Sequence, residues 1–251
     1  MPAPIPAISA VLITRDAART IERCLAALED FGEVVVLDTG STDATVDKVR
    51  AFANARLHHG EFHGFGAAKN QAAALARNDW IFSIDADEIM DAELAAALAR
   101  WDAAGDAHRL GVILRRNFFM GRHVARGGWG GDTIARLFHR RHHRFSDSKV
   151  HESISLTAHS KKRQLPGRLD HHTAPDPGSF LNKVRDYSAL AAEQATVRHP
   201  AMVVLRALAA FVKSYVLQLG FLAGWRGLVI AWSNANGVFY KYMWAWALRK
   251  K

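Results

Sequence analysis

Residues 81–88 read IFSIDADE: an apolar run, Ile81–Ile84, that passes straight into Asp85, Asp87 and Glu88. Carboxylates on consecutive or alternate positions repel one another, so a fold that keeps all three has a cation to place there. Hard divalent ions such as Mg²⁺ or Mn²⁺ take oxygen ligands, commonly one or two carboxylates completed by substrate phosphates. A strand ending in Asp-x-Asp therefore offers a seat for a metal-bound diphosphate. Taken alone, the tripeptide favours the plainer reading, a charged turn after a buried strand, because Asp-x-Asp is common.

The chain before it shifts that balance. Ile8–Thr14 (ISAVLIT) and Glu33–Asp38 (EVVVLD) are near-continuous apolar runs, the pattern of strands buried on both faces. Between them, Ile21, Cys24, Leu25 and Leu28 recur at helical spacing across Thr20–Leu28. Asp38 leads into TGSTDAT (39–45), where Gly40 permits unusual dihedrals and the hydroxyl and acid side chains can cap a following helix. The pattern goes on with a helix over Gly66–Ala76, a strand over Trp80–Ile84, a helix over Asp91–Trp101 and a strand over Leu110–Arg115. Such alternation predicts a parallel α/β sheet with ligands beyond the carboxyl ends of its strands. Thr14, Asp38 and Asp85 stand at three such ends.

At 251 residues the chain can form one domain of ample core, with or without an appendage. Cys24 is the only cysteine, which excludes an internal disulfide and suits a reducing compartment. Its place on the apolar stripe of a helix makes it a packing residue. The opening MPAPIPAISAVLI lacks a basic leader region and reads as a first strand, not a signal peptide.

Charge is divided unevenly within the total of +9: residues 1–100 carry a net −6 and residues 101–251 a net +15. No acid follows Glu193, whereas Arg198, Arg206, Lys213, Arg226, Lys241, Arg249, Lys250 and Lys251 do. That asymmetry points to a polyanion: nucleic acid, anionic lipid headgroups or a phosphorylated saccharide. The residues between the charges decide among them. From Met202 on, the chain is rich in Val, Leu, Ala and Phe, with Trp225, Trp232, Trp244 and Trp246 near its end. A spanning helix wants about 20 mostly uncharged apolar residues, and Arg206, Lys213, Arg226 and Lys241 interrupt each candidate. The expectation is helices lying in the headgroup plane over Gly220–Lys251, with part of Met202–Leu219 packed as a core helix. No nucleic-acid module or base-stacking platform is visible, so nucleic acid is not an expected partner.

The segments LITRDAARTIERCL, VVVLDTGSTDATVD, AAKNQAAALA and WIFSIDADE resemble, in order and spacing, the nucleotide-binding half of family 2 glycosyltransferases of GT-A fold. The resemblance runs closest to bacterial enzymes of the lipopolysaccharide inner core. It continues through DTIARLF (132–138), then Val150-His151-Glu152, and into the tail GFLAGWRGL…FYKYMWAW, covering almost the whole chain. It implies transfer of a hexose from a nucleotide sugar, UDP by preference, to a hydroxyl of the lipopolysaccharide core or a lipid-linked saccharide. The enzyme would work in the cytoplasm, peripheral on the inner face of the cell membrane. A polyprenyl-phosphate or other envelope-polysaccharide transferase is the alternative.

By the same resemblance, Asp38 holds the nucleoside, and Thr14 to Asp16 line the base or ribose, although the family more often has Asn-Glu where this chain has Arg15-Asp16. Lys69 approaches the diphosphate with Asn70 beside it. Asp85 assists Asp87 in binding Mg²⁺ or Mn²⁺, with His151 reaching the metal or diphosphate from the second half. Inversion by single displacement needs one carboxylate to take the acceptor's proton. Asp132, before the Arg-Leu-Phe motif, is the first candidate and Glu152 the second. Arg136 would pair with Asp132 or an acceptor phosphate. Where relatives carry Asp-Gly in the tail, this chain has Ala223-Gly224, which puts the acceptor contact there in question.

The expected organisation is a GT-A domain over 1–175 (donor half about 1–105, acceptor half about 106–175) and a helical, membrane-associating extension over 176–251. Gly121–Asp132, containing Gly127, Gly128, Gly130 and Gly131, reads as a flexible loop, and HHTAPDPGS (171–179) as a loop feeding a helix from Phe180 to about Thr196. The histidines at 139, 142 and 143 lie in an Arg-rich stretch read as a basic surface; His171 and His172 have no assigned role. A sugar-nucleotide-forming nucleotidyltransferase would show a Gly-rich basic loop after the first strand, which ITRDAART lacks. A non-catalytic basic membrane adaptor would leave Asp38, Asp85 and Asp87 without a purpose.

Overall fold

Strands β1 (Ile8–Thr14) and β2 (Val34–Asp38) are buried at almost every position, which is why both are apolar from end to end. Alternate residues point to opposite faces of a strand, and here they feed two separate cores. Ala10, Leu12, Val34 and Val36 pack with Ile21, Leu25, Leu94 and Leu98, while Val11, Val35 and Leu37 pack with Ala68 and Ala72. Those partners come from α1 (Ile21–Ala26) and α4 (Ala92–Ala99) on one face and α3 (Phe65–Ala74) on the other. Each fully buried aliphatic side chain contributes about 1.5–3 kcal/mol. Truncating Leu12 to Ala would cost about 2–5 kcal/mol through the cavity it leaves.

The computed structural model describes residues 3–146, 152–174, 176–193, 195–196 and 199–249. The remaining elements are α2 (Thr45–Arg50), β3 (Ala55–His59), β4 (Trp80–Ser83), β5 (Glu88–Met90), β6 (Arg109–Phe119), β7 (Arg122–His123), β8 (Asp132–His139) and β9 (Lys161–Ala174). Helices α5 (Pro177–Ala192), α6 (Pro200–Val212) and α7 (Trp225–Arg249) follow, with a π turn (Lys213–Leu217) and a 3₁₀ turn (Gly220–Ala223) between the last two.

Two compact units result: Met1–Arg115 with Thr133–His171, and Arg116–Asp132 with His172–Lys251. The sheet order is β3-β2-β1-β4-β8-β6-β9-β5, with β7 on β6. Strands β3, β2, β1 and β4 run parallel, and β8 pairs antiparallel with β4. The sheet is therefore mixed rather than parallel throughout. Register sets Thr14 against Asp38 and Asp38 against His59, aligning three carboxyl ends on one lip.

In the second unit, Asp176 caps α5 by accepting from the Ser179 amide at 2.9 Å, with Pro177 in the first turn. The segment expected as a loop over His171–Gly178 is instead the end of β9 and the start of that helix. Strand β9 is polar and lacks alternation; backbone pairing with β6 on one side, and of Leu169–His171 with Glu88–Met90 of β5 on the other, makes it a strand. The glycine-rich stretch before Asp132 is anchored, not loose. Gly127 donates its amide to Gln218 (2.9 Å) and accepts from the Ser214 hydroxyl (2.7 Å), and Trp129 packs edge-on against Phe119 and Phe180. Its glycines serve positive φ, +71° at Gly127 and +85° at Gly128.

One helical stretch, Pro200–Leu217, is long and apolar enough by length and composition to cross a membrane, and only 11% of it is buried. It meets that test with Arg206 and Lys213 inside it, where the sequence reading had them interrupting every candidate. Exposed apolar side chains continue past it through Phe221, Leu222, Trp225, Leu228 and Trp232.

Candidate active site

The lip formed by β1, β2 and β4 carries the site, and it belongs to the first unit. After β4 the chain turns through Asp85, Ala86 and Asp87 into β5. The turn is closed at both ends: the Glu88 amide donates to the Asp85 carbonyl (2.9 Å), and the Asp85 amide donates to the Glu88 carboxylate (3.0 Å). Glu88 is fully buried.

An alternating row of charges runs from this turn. Arg136 Nη2 reaches Glu88 Oε1 at 2.8 Å and Asp85 Oδ2 at 2.5 Å. Lys69 Nζ lies 2.8 Å from Asp85 Oδ1 and 2.7 Å from Glu152 Oε1, and the lysine is only 3% exposed. Arg115 adds a longer contact to Glu88, 3.6 Å. Burial pushes the Asp85 carboxyl up, but Arg136 and Lys69 more than offset that and hold it well below the usual carboxylate range. Burial alone would make Arg136 easier to deprotonate; Asp85 and Glu88 reverse this and keep it charged.

Glu152 is placed by short-range pairing. Phe145 bridges Ile154 antiparallel, and the Ser146 amide donates to the Ser153 carbonyl at 2.8 Å. Helix α3 bears directly on that bridge. A Cβ at Gly66 would lie 1.9 Å from the Ser146 carbonyl oxygen and 3.7 Å from Glu152 Cβ. Asn70 clamps the same point, donating to the Phe145 carbonyl (3.0 Å) and accepting from its amide (2.8 Å). Its amide group thus fastens backbone, whereas its neighbour Lys69 enters the charge row.

At the nucleoside end, Asp38 Oδ2 accepts from the Gly40 and Ser41 amides (3.2 and 3.1 Å), and the Ser41 hydroxyl donates to Oδ1 (2.5 Å). His59 Nδ1 stands 3.5 Å away. Asp16, in the left-handed region at φ +49°, accepts from the Thr42 amide at 2.7 Å, tying the first loop to the second. The Thr14 hydroxyl is buried beside them with no hydrogen-bond partner among the described residues. A buried hydroxyl left unpaired costs about 1–3 kcal/mol, so its place among the candidate nucleoside contacts suits a polar ligand atom.

Thr14, Asp16 and Asp38 thus gather at one end of the lip, and Lys69, Asp85 and Glu152 at the other. Asp87 lies beside His171, Nε2 to Oδ1 3.5 Å, a histidine without a sequence assignment. His151 itself lies outside the described residues. Asp132 opens β8 and is half-buried, within the second unit. Arg136 pairs with Asp85 and Glu88, the two acids of the turn that converge on it. Cys24 is buried with its Sγ 3.6 Å from the Asp85 carbonyl. Burial first, then Glu88, Asp87 and Asp85, push its thiol up, which leaves it inert as a nucleophile.

A divalent ion fits this lip in one way. Among the described residues no three His, Cys, Asp or Glu side chains converge as a ready metal cage, and both Asp85 oxygens already hold cations. Asp87 with His171 is a two-donor set that phosphate oxygens could complete, the usual economy of Mg²⁺ and Mn²⁺ sites. Glu88 and His171 were missed as site residues. Glu88 stood in the acidic run itself, but its partner Arg136 lies 48 residues away and no local pattern links them.

The model for Glycosyl transferase family 2 matches residues 9–157, more than half of the chain. The chain belongs to glycosyl transferase family 2. Among family 2 relatives, the lipopolysaccharide core biosynthesis glycosyltransferase LpsC of Rhizobium meliloti (strain 1021) is 29% identical over 192 residues, 74% of this chain and 71% of that protein. The TPR repeat-containing protein Synpcc7942_0270 of Synechococcus elongatus is 46% identical over 83 residues, 32% of this chain. This chain covers only 20% of that relative's length. The crystal structure of S. aureus TarS 1-349 in complex with UDP-GlcNAc aligns over 97% of this chain and 91% of that one, at a TM-score of 0.47 and 14% identity. A likeness that loose transfers no residue roles.

Proposed function

We propose that this glycosyltransferase moves a hexose with inversion from a UDP-sugar to a hydroxyl of the lipopolysaccharide core or a related lipid-linked saccharide. It would act at the cytoplasmic face of the cell membrane. The observation that carries the reading is the buried Lys69 ammonium held between Asp85 and Glu152 at the carboxyl lip. A desolvated cation fixed there is preorganised for charge that grows on a diphosphate oxygen as the glycosidic bond breaks. The relationship to LpsC supports the acceptor class, and the exposed apolar, acid-free tail supports the membrane contact.

Each residue then has one task. Asp38 receives the nucleoside, with Thr14 and Asp16 beside it. Asp85 holds Lys69 and Arg136 charged and in place, and Asn70 braces the strand that presents Glu152. Asp87, with His171 beside it, would hold Mg²⁺ or Mn²⁺; when bound, the ion neutralises charge on the departing diphosphate. Glu152 is engaged by Lys69, which favours Asp132 as the base that accepts the acceptor's proton. The catalytic domain is assigned to 1–175 and the membrane-associating extension to 176–251.

The test is a panel of nucleotide sugars offered with lipopolysaccharide from strains truncated at successive core positions, with Mn²⁺ and with EDTA. One UDP-hexose should transfer to one truncation only, and EDTA should abolish it. Replacing Asp132 with Asn should lower kcat by about 10²–10⁴-fold while UDP affinity stays within about twofold. Transfer by that variant at the parental rate would reassign the base to Glu152, and no transfer with any sugar would refute the reading as a whole.

A further inference from the structure

We propose that a groove between α6 and α7 is a binding site for the phosphate headgroup of an anionic phospholipid. This rests on the membrane-contact reading above and makes it specific. The groove has a volume of about 320 Å³ and is lined by Arg206, Ala209, Ala210 and Lys213 from one side and Lys241 and Tyr242 from the other. Spacings of three, four and seven residues put the first four on one face of their helix, and the last two are neighbours on α7. The two alanines leave the space; the three cations give it its charge.

Nothing nearby in the chain neutralises that charge. No acid follows Glu193, and among the described residues Arg206, Lys213 and Lys241 take part in no ion pair with a carboxylate. Like charges drawn together around a groove are unfavourable unless an anion joins them. The exposed apolar residues of the same two helices select the anion. Leu205, Leu208 and Val212 on α6 and Tyr240 and Trp244 on α7 are all exposed large apolar residues. A free phosphate or a nucleic acid has no use for that surface, whereas a phospholipid places acyl chains on it and its phosphate in the groove. Basic pockets between apolar helices are a recurrent headgroup site.

The backbone supports the same assignment. Lys213 opens the π turn, a rare irregularity that recurs at functional positions. The turn lets Ser214 reach the Gly127 carbonyl at 2.7 Å while Lys213 stays on the groove. The groove is thereby pinned to the buried Gly127 of the second unit.

Two measurements on the full-length chain test this. The first is flotation with vesicles of phosphatidylcholine alone or with phosphatidylglycerol added. The second is calorimetric titration with monomeric dihexanoyl-phosphatidylglycerol or dihexanoyl-phosphatidylcholine, which present no membrane surface or surface potential. We expect flotation that rises with phosphatidylglycerol, and saturable one-to-one binding of the short-chain glycerol lipid but not of the choline lipid. The variant R206Q/K213Q/K241Q should bind that lipid at least tenfold more weakly and partition onto anionic vesicles on the order of 100-fold more weakly, from about a fivefold contribution per basic residue. The control R185Q/R226Q/R249Q removes the same charge from the same unit outside the groove and should leave short-chain binding unchanged. Flotation without short-chain binding, or equal losses in both variants, overturns the groove and leaves the membrane reading standing. Short-chain binding without flotation supports the groove and removes the membrane reading. Failure of both overturns both.

Discussion

Glu33 lies where β2 begins and Glu88 just past the end of β4, so one sheet keeps a buried carboxylate at each edge. Glu33 accepts from the Ser9 hydroxyl (2.6 Å) and the Arg77 amide (2.8 Å) and pairs with Arg56, whose own side chain is partly in solvent. Every partner belongs to that edge, and the row stops there. Glu88 instead hands its charge on through Arg136, Asp85 and Lys69 to Glu152, with both cations nearly dry. Desolvating two cations costs several kcal/mol each before any attraction is regained. A stable sheet edge needs only the first arrangement. The second fits the catalytic role proposed for it, positive charge held rigid and out of water.

The contrast can be broken by variants, beginning with the strongest. Arg136→Met strands Glu88 as an uncompensated buried charge and should destabilise the protein by about 3–5 kcal/mol, read as a lowered urea midpoint, with activity lost as well. Lys69→Met should lower kcat by about 10²–10³-fold, measured as initial rates with the UDP-hexose that the panel selects. If kcat is retained, the lip is only another structural edge. Glu33→Gln should cost about 1–3 kcal/mol in urea denaturation while kcat stays within about twofold; a large kcat loss would erase the distinction from the other side.

The smallest effect concerns pH. Burial raises the Glu33 carboxyl, but Ser9, the Arg77 amide and Arg56 more than offset it, so its folded value lies below the ordinary one. A depressed acid contributes its full stability above the unfolded pKa and loses it as pH falls through the folded value. The stability gap between the parent and Glu33→Gln should therefore be flat from neutrality to about pH 5 and narrow below about 4.3. A gap that widens in acid would reverse the sign.

The contrast also marks what the sequence made legible. β1, β2 and β4 announced themselves because both faces of each are buried and the runs are apolar throughout. β3 (ARLHH), β5 and β9 did not, since backbone pairing rather than side-chain pattern makes them strands. The acids of IFSIDADE were read as the seat of a divalent ion, whereas the cations that Asp85 and Glu88 meet are Lys69 and Arg136 of the chain itself. Ion pairs across 48 residues leave no local trace. The glycines before Asp132 read as looseness because composition alone cannot separate conformational freedom from a fixed positive φ.

Gly66 carries a last consequence. Its missing methyl lets the helix that bears Lys69 lie directly against the carbonyl of Ser146, whose amide is hydrogen-bonded to Ser153, the residue next to Glu152. The bulk of a single side chain at this position therefore works as a shim. Anything larger than hydrogen wedges the helix off its seat and parts the lysine from its second acid, without touching a charged atom.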